Sequence, residues 1–373
     1  MNIILPLAVL AALPVFPVHA DTPALQINHL TCEYQGNPLG VDAASPRLSW
    51  QLQSDARGQR QTAYRVLVAR TKAGLLLDRG DLWDSGKVAS ANSTAIAYHG
   101  TALASGQPCW WRVRVWDKDG HAAPVSQVGT WQMGLLKPTD WKAQWISAQT
   151  PRDTKIDDNT LPPCPYVRRT FQVGKTVKRA TVFVTARGLY ELHLNGAKVG
   201  SAVLAPGWTD YNKRIQYQAY DITSGLHQGA NTVGAIIGDG WYSGYVGFAR
   251  HRNLYGSRTA PRLQINIDFS DGTHQVVGTD EAWRGRTGPI IYSDMLQGEA
   301  YDARAVLTEW DVAGAANTGW KPVLISTSAN PLSHVSVLGP LKALVRNNTL
   351  SVVAGNDLAG DPAYNTVKKL REA

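Results

Sequence analysis

Apolar and polar residues alternate in short runs along most of this chain, and the runs end at dipeptides that favour tight turns. Over residues 110–116, Trp111, Val113 and Val115 share one face while Arg112, Arg114 and Trp116 share the other. That period of two predicts a strand with one buried side, ended by the turn at Asp119-Gly120. Leu263, Ile265, Ile267 and Phe269 line one face of a second strand before Asp271-Gly272. Tyr190, Leu192 and Leu194 stand opposite Glu191 and His193, and Asn195-Gly196 predicts a type I′ hairpin returning through Val199-Gly200. No long helical period follows the first twenty residues, so the expected fold class is all-β.

The spacing of these runs predicts two modules. About seven candidate strands over residues 24–137 suit a fibronectin III-like β-sandwich. Residues 138–165 read as a linker, which Trp141, Trp145 and Ile146 lead into before a polar, proline-rich stretch. Residues 166–325 have the length and strand content of a larger jelly-roll β-sandwich. The tail, 326–373, shows strand patterns at 333–338 and 350–353. It is too short to bury a core of its own, so it reads as a partial further β-module.

Composition refines this picture at four points. With 44% hydrophobic and 18% charged residues, the chain can build a sizeable core and is not globally disordered. Residues 1–20 hold no Lys, Arg, Asp or Glu and end in Val18-His19-Ala20, a small-x-small cleavage pattern. They predict a signal peptide, a periplasmic or secreted product and no stable membrane insertion after cleavage, since Pro6, Pro14 and Pro17 break the apolar stretch. Export permits a disulfide, yet Cys32, Cys109 and Cys164 are odd in number and lack zinc-ligand spacing. The formal charge of +8 comes from scattered Lys and Arg, which predicts a basic surface and no nucleic-acid partner.

Several blocks occur in a set order. The first is Asn37 to Asp42, then Pro46-Arg47-Leu48-Ser49-Trp50, Gln61 to Val68 and Leu82-Trp83-Asp84-Ser85-Gly86. The second runs from Thr185-Ala186-Arg187-Gly188-Leu189-Tyr190-Glu191-Leu192-His193-Leu194-Asn195-Gly196 to Leu204-Ala205-Pro206-Gly207-Trp208-Thr209-Asp210-Tyr211. Gly238-Asp239-Gly240-Trp241-Tyr242-Ser243-Gly244 and Gly298-Glu299-Ala300-Tyr301-Asp302-Ala303-Arg304 follow. Together, over residues 27–325, they resemble the N-terminal β-domains of bacterial α-L-rhamnosidases of glycoside hydrolase family 78. The resemblance implies an inverting hydrolase that removes terminal α-L-rhamnose, with its acid and base on a helical (α/α) barrel after these domains. No part of this chain reads as that catalytic barrel, and Gly360-Asp361-Pro362 departs from the family's linker. The expectation is therefore a non-catalytic N-terminal part that docks to a barrel and meets rhamnose-containing carbohydrate. A stand-alone carbohydrate-binding or scaffold protein is the alternative.

Two groups of residues are candidates for chemistry. Glu299 and Asp302 lie three apart on a loop entering a strand, where pairing of a carboxylate with Arg304 is expected in preference to acid–base work. The loops 206–211 and 238–242 set aromatics beside an Asp among glycines. Trp208, Asp210, Tyr211, Asp239, Trp241 and Tyr242 are accordingly candidate substrate-binding residues, rings to stack on a sugar and carboxylates to accept its hydroxyls. The other open reading has the Trp residues plugging the core and the Asp residues capping turns. The second domain also resembles a rhamnose-binding module in which calcium meets the sugar. By that resemblance Asn195, Asp210 and Asp239 are candidate calcium ligands, though three hard oxygens alone are no calcium signature. No other cofactor is expected.

Overall fold

Strand alternation accounts for both halves of the chain. The computed structural model describes residues 25–149, 161–247 and 251–326, together with four two-residue strands beyond them. The expected signal peptide and the strand at 333–338 lie outside the described residues. Of the tail, only the pairs Val345–Arg346 with Thr349–Leu350 and Val353–Ala354 with Lys368–Lys369 are described. Two compact units result. Among the described residues the first takes 25–38, 45–102 and 108–131, and the second takes 39–44, 103–107 and 132–326.

In the first unit one sheet joins Gln26–Cys32, Arg47–Gln53 and Ile96–Ala97. The other orders Trp83–Asp84, Ala63–Ala69, Pro108–Trp116 and Gly129–Gln132, with Val88–Ala89 also on Ala63–Ala69. Pro108–Trp116 alternates as its sequence requires, burying Cys109, Trp111, Val113 and Val115. Trp50 is buried with its indole satisfied: Nε1 donates to Gln61 Oε1 at 3.0 Å, and Gln61 Nε2 donates to the Ser90 and Asn92 carbonyls.

The second unit is a sandwich of two antiparallel sheets. Six strands run in the order Ala197–Lys198, Leu189–Leu194, Gly229–Gly238, Pro165–Val173, Arg284–Thr287 and Lys321–Pro322. Four run in the order Gln218–Asp221, Val177–Arg187, Ala260–Phe269 and His274–Gly278. Their inner faces share one core, in which Val167, Leu192 and Val233 of the first sheet meet Val182, Leu263 and Ile265 of the second. The Asn195-Gly196 turn is of the expected primed type: both residues have positive φ (50° and 83°) and Leu194 faces Ala197 across it.

The stretch expected to be a linker is in part core. Trp141, Ala143 and Trp145 alternate inward, Gln144 N–H donates to the Thr279 carbonyl at 2.7 Å, and Ile146–Ser147 pairs with Leu324–Ile325. Residues 150–160 of that stretch lie outside the described residues. Among the described residues the α-helices are Lys72–Leu76 and Gly240–Ser243, each about one turn, so the architecture is all-β. No disulfide joins Cys32, Cys109 and Cys164, all of them buried. Burial, with Glu33 and Cys109 adding to it, pushes the Cys32 thiol up to about 12, which leaves it protonated and inert.

Arg65 ties the edge of the first unit together, reaching Asp78 at 2.8 Å and Asp84 at 2.7 Å. Its hydrogen bonds hold both carboxyls below their usual range. A folded value below the unfolded one, about 3.9 for Asp, means that this contribution is complete above that pH and is lost as pH falls. Both carboxylates are well exposed, so the term is small. Arg65→Met should therefore lower the midpoint of thermal unfolding slightly at pH 7 and by less at pH 2.5. An equal loss at both values would assign the effect to packing of the Arg65 stem.

Candidate functional site

The pairing of Leu189–Leu194 with Gly229–Gly238 decides what meets at each end of the larger sandwich. Leu189 faces Gly238, so Asp239 and the helix Gly240–Ser243 emerge at that end. The loop that follows Ala205 is tied to the same end, because Tyr190 N–H donates to the Ala205 carbonyl at 2.9 Å. Trp208, Asp210 and Tyr211 thereby approach Asp239, Trp241 and Tyr242.

Their rings have unequal duties. Tyr211 is fully buried, donates its hydroxyl to the Gly207 carbonyl at 2.9 Å, and stands edge-on to Tyr242 at 5.5 Å. Tyr255 closes the group at 5.0 Å from Tyr211. Trp145, Ile215 and Ala260 complete this apolar cluster. Burial raises the hydroxyl pKa of Tyr211, Tyr242 and Tyr255, which keeps them neutral donors. Trp208 differs, being 43% exposed. It lies nearly parallel to Trp241, with ring centroids 5.9 Å apart and planes 6° from parallel. That is direct contact, so no sugar ring fits between the two. A ligand would stack on the outward face of Trp208, whose indole N–H leans on the Tyr255 hydroxyl at 3.4 Å.

Below this cluster two guanidinium groups lie on indoles. Arg187 sits over Trp145 at 4.5 Å, and Arg262 over Trp141 at 4.9 Å. Burial lowers the pKa of both; for Arg262, burial and then the Arg187 charge bring it to about 10. Both remain cations at neutral pH. They were invisible as site residues in the sequence, and so was Tyr255, since no local motif marks a lone aromatic in a Gly/Ser loop.

Of the two carboxylates, Asp210 caps a turn, whereas Asp239 makes no capping bond to the helix it precedes and pairs with an arginine. Asp210 Oδ1 accepts the Asn212 N–H at 3.0 Å. Asp239 is 2% exposed and its Oδ2 accepts from Arg252 Nη2 at 3.2 Å. Asn195 is not with them. Its amide donates to Gly225 and Asn231 and accepts from Thr232 N–H, which uses it in the hairpin. It sits six residues along the strand from Leu189, or roughly 20 Å at about 3.3 Å per residue. One calcium ion cannot take Asn195 and Asp239 together, so the expected ligand set does not form. Asp302 is paired with Arg304 at 2.7 Å, as expected, and holds its backbone N–H at 3.0 Å. Glu299 stands apart from that pair, on the rim of a cleft of about 410 Å³ that Leu189, Ile236 and Ile290 line.

A buried ion pair that loses one partner leaves the other charge uncompensated. Asp239→Ala should therefore destabilise the chain by about 3–5 kcal/mol in urea unfolding. Asp210→Ala should cost about 1 kcal/mol or less. Equal, small losses would show Asp239 to be a ligand-facing group with no part in the fold.

Comparison with known proteins agrees with this architecture. Residues 27–137 match the family model of the Rha78A-like N-terminal immunoglobulin domain, and residues 175–339 match that of the α-L-rhamnosidase N-terminal domain. An α-L-rhamnosidase of Alteromonas sp. is 34% identical over 88% of this chain and 37% of its own length. One from Streptomyces avermitilis is 30% identical over 86% of this chain and 46% of its own length. The crystal structure of Streptomyces avermitilis α-L-rhamnosidase complexed with L-rhamnose superposes with a TM-score of 0.77 at 28% identity, covering 83% of this chain and 46% of that one. The Aspergillus terreus enzyme gives 0.74 at 32% identity, covering 82% and 34%. The chain carries the N-terminal domains of the α-L-rhamnosidase family and spans less than half the length of the relatives it matches.

Proposed function

We propose that this chain is the carbohydrate-facing support of an α-L-rhamnosidase, exported to the periplasm or the cell exterior, with hydrolysis carried out by a helical barrel docked against it. The observation that carries this reading is the ordered match of both N-terminal domain models, 27–137 and then 175–339. Inverting glycosidases need two carboxyls roughly 6.5–9.5 Å apart with water between them. Asp302 is committed to Arg304, which leaves Glu299 without it as a catalytic partner. The role of the second unit is to hold rhamnose-containing carbohydrate. The outward face of Trp208 supports that role: it is an apolar platform anchored from behind by Trp241. A monosaccharide offers few atoms, so affinity in the millimolar to micromolar range is expected.

The chain by itself should release no rhamnose from a chromogenic rhamnoside. L-Rhamnose should bind by calorimetry, Trp208→Ala should abolish the heat, and a chelator should not change it. Turnover lost in Glu299→Gln would overturn the non-catalytic role, and unchanged binding by Trp208→Ala would remove the platform.

A further inference from the structure

A second concave site lies elsewhere in the larger unit, in a cavity of about 420 Å³. That is within the range of small-molecule sites. Its walls come from three separated stretches of chain: Gly40 and Asp42, Leu135 to Trp141, and Arg214 to Tyr217.

The scaffold of this cavity is rigid. Tyr217 accepts the Leu135 N–H on its hydroxyl at 3.0 Å and meets Trp141 edge-to-face at 5.5 Å. The Lys137 N–H is held by Asp140 Oδ2 at 2.9 Å. Val41 is bonded on both sides, its N–H to the Gln132 carbonyl at 2.9 Å and its carbonyl to the Gly134 N–H at 2.7 Å. Gly40 has a φ of +76°, and a Cβ there would lie 3.0 Å from the Ala219 Cβ, so this wall stands close to its neighbour only as glycine.

Against that rigid floor, the polar ends on the rim are uncommitted. The side chains of Asp42, Lys137, Arg214 and Gln216 make no hydrogen bond or ion pair with any described residue. Elsewhere the same residue types are engaged: Arg169 with Asp280, Arg179 with Asp268 and Lys175 with Asp271. The rim thus offers two cations, one carboxylate and one amide above the aromatic edges of Trp141 and Tyr217. A neutral sugar would leave the cations unmatched, and a phosphate would face Asp42 with excess charge. A sugar bearing a single carboxylate suits all four groups. Its carboxylate pairs with Arg214 and Lys137, its hydroxyls donate to Asp42 and exchange hydrogen bonds with Gln216, and its C–H face meets the rings.

We propose that this cavity binds a uronic acid residue, giving the protein a subsite for acidic saccharides distinct from the Trp208 platform. The formal charge of +8 on the chain favours the approach of such an anion. The test titrates D-glucuronate, D-galacturonate and D-glucose into the full chain by calorimetry or ligand-observed NMR. At least one uronate should bind, with glucose at least about tenfold weaker, and raised salt should weaken the uronate. Arg214→Gln and Lys137→Gln should each weaken uronate binding several-fold, and the double variant about tenfold or more. Arg214→Lys should retain part of it. These side chains are exposed, so circular dichroism should be unchanged in every variant. Trp208→Ala, which tests the rhamnose platform, should leave uronate binding intact. Equal binding of glucose, no binding of either uronate, or an Arg214→Gln, Lys137→Gln double variant with wild-type affinity would overturn the proposal.

Discussion

The antiparallel pairing of Leu189–Leu194 with Gly229–Gly238 is the constraint on which the larger unit's surface depends. Side chains alternate along a strand, so a slip of one residue would turn Tyr190, Leu192 and Leu194 out of the core. Backbone crowding fixes the register at one end. Gly188 has a φ of +121°, and a Cβ there would fall 2.4 Å from the Gly238 carbonyl oxygen. Only glycine lets the chain enter the strand that close to its partner. With the register set, the Asn195 hairpin lies at one end and the loops bearing Trp208 and Trp241 at the other.

At the loop end, packing uses most of the aromatic surface. Tyr211, Tyr242, Tyr255 and Trp145 bury their faces against one another, and two guanidinium groups lie on the indoles beneath. Burying such cations is costly unless something replaces water, and the indole faces meet part of that cost. The same arrangement limits what remains for a ligand. Trp208 alone of this group is largely outward, backed by Trp241 and steadied by Tyr255. A rigid apolar face with little motion to lose suits the weak, repeated contacts by which proteins hold sugars.

Local chemistry was legible in the sequence, and spatial assembly was not. Period-two runs such as Leu263 to Phe269 became strands because alternation is a property of neighbouring residues, and Asn195-Gly196 formed its hairpin because both residues tolerate positive φ. The pairing of Asp302 with Arg304 was legible for the same reason, at a separation of two residues. What failed depended on distant partners. Residues 39–44 join the second unit, although their neighbours in sequence belong to the first. Trp141 to Ala148 looked like the approach to a linker and is core, because the sheet that covers it arrives more than a hundred residues later. The calcium set joined Asn195 to Asp239 by resemblance to a calcium-dependent sugar-binding module, and strand length keeps them apart. The cavity above Trp141 and Tyr217 draws on three stretches of chain, none of which carries a motif.

The proposed rhamnose platform is a preformed aromatic face, Trp208 backed by Trp241. It is tested by the ¹H–¹⁵N spectrum of the indole N–H groups during titration with L-rhamnose. The Trp208 resonance should shift saturably, that of Trp241 stacked behind it less, and those of the buried Trp50, Trp111 and Trp131 of the first unit not at all. A Trp208 resonance that stays fixed up to saturating sugar would contradict it.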